Sequence, residues 1–299
     1  PQADSIEGRT LNLSGLRLGS FPALPVMADF THIRVLKLNN MNCKNTVDGF
    51  LEHFSAVEVL EMDNNQISNL PSQLESMVNL RNLSMAQNEL FMNARNHSIL
   101  TGLGALEVLN LNDNFLGPEL NLNPLGHLRR VYLRRTWIQQ WPEGLASRPM
   151  LEAADLRQNQ IADIPEDIFQ ASPRIIRNVT LSNNPLSSSS RLRLARFVMQ
   201  GGSTMGVDSE ELLSEAAAFE FWTAGITSHE RSRRELLWNT LKAELNSEDF
   251  FNVLSRLTTT ADAQSVRQDL SRRVWEIIEA ANENPDLRRN LIDIAAAPR

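Results

Sequence analysis

The side chains that could do nucleophilic or metal chemistry are few in this chain, which has one cysteine, Cys43, and five histidines. A cysteine thiolate can attack a carbonyl carbon, and histidines can ligate zinc or act as general bases. The histidines are scattered along the chain without a paired ligand spacing: His32, His53, His97, His127 and His229. We therefore expect no metal site and no cofactor. A lone cysteine also excludes an internal disulfide and favours a reducing compartment.

The surroundings of Cys43 argue against a reactive thiol. Cys43 occupies the last apolar place of a recurring pattern, L-x-x-L-x-L-x-x-N-x-L, and is predicted to be a small core residue. Trp141, which precedes Pro142, is predicted to be a core residue for the same reason. The glycines of Gly102-Leu-Gly104 suggest a phosphate loop, but they lie between two copies of the pattern and are predicted to form a turn.

The pattern that positions these residues is the leucine-rich repeat, whose eleven places are numbered here as positions 1 to 11. Eight copies follow one another at spacings of 22 to 26 residues. Clear copies begin at Val57, Leu80, Leu106, Leu151 and Ile176, degenerate copies begin at Ile33 and Leu128, and the opening copy uses Leu11, Leu13, Leu16 and Leu18. A single copy cannot bury its apolar residues, so the copies must stack. The sequence therefore predicts a solenoid of short parallel strands.

Two further features of each repeat have a physical reason. The Asn at position 9 can satisfy backbone groups that the tight turn would otherwise leave unpaired. Several copies continue into an apolar residue and a proline that fixes the return of the chain. These pairs are Phe21-Pro22, Leu70-Pro71, Trp141-Pro142 and Ile164-Pro165.

Alternate strand side chains must face outward on the concave surface, at positions 5 and 7. Position 5 holds Asn12, Lys37, Glu61, Ser84, Asn110, Tyr132, Asp155 and Thr180, and position 7 holds Ser14, Asn39, Asp63, Ala86, Asn112, Arg134, Arg157 and Ser182. Tyr beside Arg is the composition of protein-binding hot spots. The candidate binding residues are Lys37, Glu61, Asp63, Arg130, Tyr132, Arg134 and Arg157. The alternative interpretation of each candidate residue is a side chain that faces solvent and binds no partner.

Composition limits the partners of this surface. The net charge of −7 and the absence of a basic stripe argue against nucleic-acid binding. No apolar run is long enough to span a membrane, and no signal peptide is visible. The expected domains are 1–186 for the repeats, 187–205 for a capping helix with a hinge at Gly201-Gly202, and 206–299 for a helical domain.

The last hundred residues carry helical signals throughout. Ser209 and Ser228 open two amphipathic stretches, with Leu241 and Leu245 inward on the second, and Ser247 is predicted to cap a third. A fourth helix is predicted from about Asp262 to Ala281, with Val266, Leu270, Val274, Ile277 and Ile278 inward. Asn284-Pro285 predicts an N-cap followed by a first-turn proline. These signals alone indicate an all-α domain.

Six segments of this helical part are distinctive in their order and spacing: Phe221-Trp222, Arg233-Arg-Glu-Leu-Leu-Trp238, Leu241-Lys-Ala-Glu244, Phe250-Phe251-x-x-Leu254-x-x-Leu257-Thr258, Leu270-Ser-Arg-Arg273-Val-Trp275 and Leu287-Arg288-x-x-Leu291. Through these segments the helical part resembles the N-terminal part of the NEL domain, the catalytic domain of IpaH-like ubiquitin ligases that bacteria secrete. Leucine-rich repeats precede the domain in that family, as they do here.

The resemblance implies a thioester mechanism and a set of partners. A thiolate takes ubiquitin from a conjugating enzyme and passes it to a substrate lysine, assisted by the Asp of a Cys-x-Asp motif. That motif is expected just after Arg299, so this chain is expected to lack the nucleophile and to be inactive alone. The implied partners are a protein substrate on the repeats and a ubiquitin-loaded conjugating enzyme on the helical domain. The implied location is the host cell cytoplasm, after secretion.

Two other functions compete with the ligase. A non-enzymatic scaffold would use the repeats for binding and the helical part only for docking, and the sequence beyond Arg299 would separate it from the ligase. A nucleotide-dependent enzyme is excluded because the chain has no phosphate loop.

Overall fold

The computed structural model describes residues 7–19, 21, 24–44, 48–258 and 260–296. The predictions that fall on Pro22 and on Arg299 lie outside these residues. The chain divides into two compact units, Pro1–Pro185 and Leu186–Arg299.

The first unit is the predicted solenoid. Its strands are β1 Thr10–Asn12, β2 Val35–Lys37, β3 Val59–Glu61, β4 Asn82–Ser84, β5 Val108–Asn110, β6 Arg130–Tyr132, β7 Ala153–Asp155 and β8 Val179–Thr180. They form one parallel sheet in sequence order, β1 to β8. Short helices lie between strands: α1 Asp48–Leu51, α2 Ala94–Gly102, α3 Glu166–Gln170 and α4 Pro173–Arg177, with 3₁₀ turns at Glu7–Arg9 and Ser72–Ser76. The strands are short because each supplies only the inward residues that one coil can bury.

The asparagines at position 9 hold neighbouring coils together. Asn114 is buried; its Oδ1 accepts from the Leu90 N–H at 2.9 Å, and its Nδ2 donates to the Met85 and Leu111 carbonyls at 2.9 and 3.0 Å. Each bond to Leu90 or Met85 links one coil to the coil before it. Asn65, Asn88, Asn159 and Asn184 repeat this arrangement. The predicted role of this asparagine is confirmed.

The backbone conformation at position 10 depends on whether position 9 is an asparagine. Position 8 is left-handed in both kinds of repeat, as at Asp113 and Arg135. Position 10 becomes left-handed only in the three copies that lack Asn at position 9, at Arg17, Asn42 and Trp137. We conclude that the asparagine's bonds hold the following residue in an ordinary conformation. Without them, position 10 adopts a conformation that L side chains rarely take.

Position 2 carries charges that alternate in sign from the second repeat to the eighth. The residues are Arg34, Glu58, Arg81, Glu107, Arg129, Glu152 and Arg177. They lie at the edge where the strands begin and form ion pairs between Arg34 and Glu58, Arg81 and Glu107, and Arg129 and Glu152. This edge of the sheet is therefore covered by charges that neutralise one another.

The second unit is all-α, as predicted. Its helices are α5 Ser188–Met199, α6 Ser209–Trp222, α7 Ser228–Lys242, α8 Glu248–Leu257, α9 Ala261–Ser265, α10 Arg267–Glu283 and α11 Pro285–Ala296. The helix predicted as a cap for the repeats is α5, which packs against α6 and α7 within this unit. Gly201, with φ of 89°, turns the chain directly after α5. The capping and hinge roles stay predictions.

Four details of the predicted helices are wrong. The helix that begins at Ser228 ends at Lys242, so Leu245 lies beyond it and is 84% exposed. Ser247 does not cap α8, because its hydroxyl donates to the Lys242 carbonyl instead. The fourth helix is broken at Val266, which is exposed, and Ile277 faces outward on α10. The N-cap at Asn284 is confirmed by two backbone N–H groups that donate to its Oδ1.

Candidate recognition surface

The parallel pairing brings the outward side chains into rows along the concave face. Lys37 pairs with Glu61, Glu61 with Ser84, and Ser84 with Asn110. The same register continues through Tyr132 and Asp155. The row predicted for position 5 is therefore present in the structure, and residues from neighbouring repeats lie side by side.

Seven of the polar residues in these rows accept hydrogen bonds from backbone N–H groups of their own array. At position 7 the Asp63 N–H donates to Asn39 Oδ1, the Ala86 N–H to Asp63 Oδ1 and the Arg134 N–H to Asn112 Oδ1, each at 2.7 Å. Elsewhere the acceptor is the position 5 side chain of the same repeat, as for Ser14, Asn112 and Arg157. Outward acceptors on this face therefore have a structural use.

Internal hydrogen bonds also engage the acidic residues that the sequence predicts as binding residues in the early repeats. Glu61 receives hydrogen bonds from Lys37 Nζ at 2.9 Å and Asn39 Nδ2 at 3.0 Å. Asp63 accepts from Ser84 Oγ as well as from the Ala86 N–H, both at 2.7 Å. Three of the seven candidate residues, Lys37, Glu61 and Asp63, thus belong to one internal network.

Asp63 offers a test of that structural role. Burial raises the pKa of the Asp63 carboxyl, outweighing the bonds from Ser84 and Ala86 that lower it. We expect D63A to lose about 1–3 kcal/mol of unfolding free energy, because two donors lose their acceptor. D63N keeps an acceptor oxygen without a charge and should be at least as stable as the wild type at pH 7.

The pH dependence of the Asp63 variants follows from the raised pKa. The protonated carboxyl favours the fold below the ordinary Asp pKa, and this contribution is lost as pH rises through the raised folded pKa. The stability of the wild type relative to D63N should therefore fall between acidic and neutral pH. Urea unfolding of both proteins at several pH values measures it. Equal losses in D63A and D63N would contradict the acceptor role.

The later repeats have a different chemistry, because β6 and the repeats beside it are rich in arginine. The guanidinium groups of Arg129 and Arg130 share Glu152, while Arg157 makes a two-bond pair with Asp155 at 2.8 and 2.6 Å. Arg134 donates to the neutral Gln158 amide at 2.6 Å and makes no ion pair within the described part of the chain. Burial raises the pKa of Asp155, but the bonds and charge of Arg157 lower it below its ordinary value overall.

Tyr132 stands in the middle of these arginines as a half-buried side chain. The described residues show no hydrogen bond to its hydroxyl. The hydrogen bonds to backbone N–H groups therefore do not use four of the predicted side chains: Arg130, Tyr132, Arg134 and Arg157.

An aromatic pair next to this region is absent from the candidates predicted from the sequence. Phe115 and Trp137 occupy position 10 of adjacent repeats and stack with ring centroids 6.1 Å apart. They stay 60% and 55% exposed. The sequence does contain a signal for them, because position 10 is polar in the repeats on either side, at Glu89 and Gln160. The prediction of outward residues covered only positions 5 and 7.

The residues considered for catalysis are not assembled into a site. Cys43 is 1% exposed, and burial raises the pKa of its thiol, which is unfavourable for a nucleophile. Its predicted core position is confirmed, as is that of Trp141. Within the described residues there is no group of three His, Cys, Asp or Glu side chains that could hold a metal ion. Nor does that part of the chain contain a helix that could cross a membrane.

The three tryptophans of the family resemblance, Trp222, Trp238 and Trp275, are buried in the core of the helical unit. Phe219, Trp238 and Trp275 lie within 6.5 Å of one another by ring centroids. The Trp275 indole N–H donates to the Trp222 carbonyl at 2.7 Å, and the Trp222 indole N–H donates to the Leu254 carbonyl at 3.3 Å. Arginines cover the cluster, with Arg234 lying 4.9 Å from the Trp275 ring. These motif residues position helices rather than reacting groups.

Comparisons with known proteins fit this two-part architecture. Residues 222–299 match the family model NEL, described as a C-terminal novel E3 ligase that interacts with leucine-rich repeats. The repeats are 34% identical over 131 residues to rabbit (Oryctolagus cuniculus) fibromodulin, covering 44% of this chain and 70% of that protein. They are 32% identical over 177 residues to rat (Rattus norvegicus) osteomodulin, covering 51% of this chain and 42% of that protein.

A solved structure supports the fold. An internalin from Listeria monocytogenes superposes with a TM-score of 0.50 at 18% identity, covering 63% of this chain and 52% of the internalin. The chain thus spans about half the length of that structure, and the likeness concerns the repeat fold alone. Taken with the eight-stranded parallel array and the helical unit that follows it in the sequence, these matches show that the chain belongs to the leucine-rich-repeat proteins and that its residues 222–299 match the NEL family model.

Proposed function

We propose that this chain contains the substrate-recognition repeats and part of the catalytic domain of a bacterial effector ubiquitin ligase. The observation that carries the proposal is the NEL match at residues 222–299, in the unit that follows the repeat array along the chain. In this proposal the repeats bind a protein substrate on their concave face. The helical unit binds a ubiquitin-loaded conjugating enzyme, and the protein acts in the host cell cytoplasm after secretion.

The covalent step needs a cysteine other than Cys43. A thiolate attacks the thioester carbonyl between ubiquitin and the conjugating enzyme, and the thiolate of that enzyme leaves. The lysine amine of the substrate then attacks the new thioester, and the ligase thiolate leaves with the amide bond formed. Cys43 is the one cysteine of the 299 residues and is buried in the repeat core, so residues 1–299 alone are proposed to be inactive.

A ubiquitin-charging assay on the full-length gene product tests the proposal. With ubiquitin, activating enzyme, a panel of conjugating enzymes and ATP, we expect an adduct that dithiothreitol removes. The adduct should persist in a C43S variant of the full-length protein and should not form on residues 1–299. No reducible adduct with any conjugating enzyme, or an adduct on Cys43, would reject the ligase.

The alternative is a repeat scaffold without enzymatic activity. The extent of the exposed aromatic and arginine-rich surface supports protein binding under either function. The two are separated by the charging assay, because a scaffold would bind its partner without forming a thioester.

A further inference from the structure

Five residues of the fifth and sixth repeats lie at or beyond the carboxyl ends of β5 and β6, and we call them the rim patch: Phe115, Tyr132, Arg134, Arg135 and Trp137. Tyr132, Arg134, Arg135 and Trp137 are positions 5, 7, 8 and 10 of one repeat. The repeat before it is joined at two points, because Arg135 Nε pairs with Asp113 and Trp137 stacks on Phe115. The patch therefore extends from the concave face onto its rim.

The aromatic pair does not serve the stability of the array. Each of the two residues keeps more than half of its surface in solvent, so the pair gains little from burial. Trp137 also occupies a left-handed backbone conformation, with φ of 63°, that a bulky side chain rarely adopts. In the second repeat the same place and conformation belong to Asn42, a residue that tolerates it. The missing asparagine at position 9 gives this conformation to whichever residue follows it, so the fold explains the backbone but not the choice of tryptophan. An exposed aromatic side chain at a place that disfavours it is expected where a ligand, rather than the fold, uses the side chain.

The charge around the pair indicates the chemistry of that ligand. At the carboxyl ends of the strands Arg135 pairs with Asp113 and Arg157 pairs with Asp155, whereas Arg134 makes no ion pair within the described residues and donates to the neutral Gln158 amide. Arg134 is therefore a cation without a paired carboxylate, close to an exposed apolar surface. A partner that complements both features must be acidic and must carry an apolar side chain.

We propose that the rim patch binds an acidic segment of a partner protein, whose apolar anchor residue packs beside the Phe115–Trp137 stack while its carboxylates pair with Arg134 and its neighbours. This inference rests on the proposed function, since it specifies the partner of the recognition array. It also restricts recognition to the fifth to seventh repeats. In the earlier repeats the outward residues bind one another, as Asp63 and Ser84 do.

The probe for this proposal is a phage-displayed library of random 12-residue peptides, selected on the intact chain. We expect enriched peptides to combine two or more Asp or Glu residues with an aromatic or large aliphatic residue. Synthetic versions of them should bind more weakly as NaCl is raised. Binding should fall at least tenfold in W137N, in F115Q and in R134Q.

The variants are chosen to leave the fold intact. W137N copies Asn42 of the second repeat, and F115Q copies Gln160 of the seventh. The melting temperature should stay equal in F115Q and stay equal or rise in W137N, which relieves the strained backbone. K37A serves as the matched control on the early repeats and should bind as the wild type does.

Two results would overturn the inference. One is a selection that enriches no peptides, or basic ones. The other is peptide binding that W137N and F115Q leave unchanged while K37A abolishes it. The second result would place recognition on the early repeats and would leave the ligase standing. Failure of the ligase itself is read separately, from the charging assay.

Discussion

Replacing Asn114 with alanine should cost about 3–5 kcal/mol of unfolding free energy, an effect expected when several buried polar groups lose their partners at once. Removal of the Asn114 amide leaves the Leu90 N–H and the Met85 and Leu111 carbonyls without these hydrogen-bond partners. Water cannot replace the amide readily, because Asn114 and the leucines around it are buried. The loss should appear as faster hydrogen exchange of amides in β4, β5 and β6.

Two variants calibrate the Asn114 result. Asn82 lies outward on β4 without a side-chain hydrogen bond among the described residues, so N82A should cost much less. N114T imitates Thr136, whose hydroxyl donates to the Leu133 carbonyl at 2.8 Å, and should retain part of the stability. If N114A were no more destabilising than N82A, the asparagine would not be what joins the coils.

Replacing Trp275 with alanine should destabilise the helical unit by about 3–5 kcal/mol, the usual range for deleting a buried aromatic side chain. Trp275 is 1% exposed, packs edge-on against Phe219 and carries the Arg234 guanidinium on its ring. Its indole N–H also satisfies the Trp222 carbonyl. W275F should lose less, since it keeps a ring but not this donor.

The two-unit architecture decides how the Trp275 loss is measured. Global unfolding of two units need not be two-state, so amide exchange in α6, α7 and α10 is the proper readout. W137A is the matched control, because it removes an exposed tryptophan from the other unit. Exchange in W275A that matches exchange in W137A would contradict a core role for Trp275.

The repeats were predictable because one physical requirement recurs eight times. Inward leucines and the position 9 asparagine are dictated by burial and by backbone hydrogen bonding, so periodicity reveals them. The helical unit was less predictable at its ends. Leu245 and Val266 continue an apolar spacing, yet the chain leaves the helix at Ala243 and breaks at Val266. Apolar spacing gives the face of a helix but does not show where tertiary packing ends it.

The recognition surface was only partly predictable, for a different reason. Asp63 and Arg134 both occupy the outward position 7, so the repeat pattern does not distinguish them. In the structure Asp63 accepts from the Ala86 N–H of the next coil, whereas Arg134 donates to the Gln158 side chain. That distinction depends on side chains 21 to 25 residues apart and appears only in the structure. Trp137 was not predicted as a binding residue because position 10 ordinarily points to solvent with a polar residue.

The alternating charges at position 2 give the array a property that its backbone lacks. Every coil contributes one strand to the same parallel sheet, so the strand pairing has a period of one repeat. The ion pairs join Arg34 to Glu58, Arg81 to Glu107 and Arg129 to Glu152, so the electrostatic period is two repeats. Excising one middle coil would place two like charges next to each other, whereas excising two adjacent coils would preserve the alternation. Between the second and eighth repeats, an internal insertion or excision therefore keeps the alternation only when it involves an even number of coils.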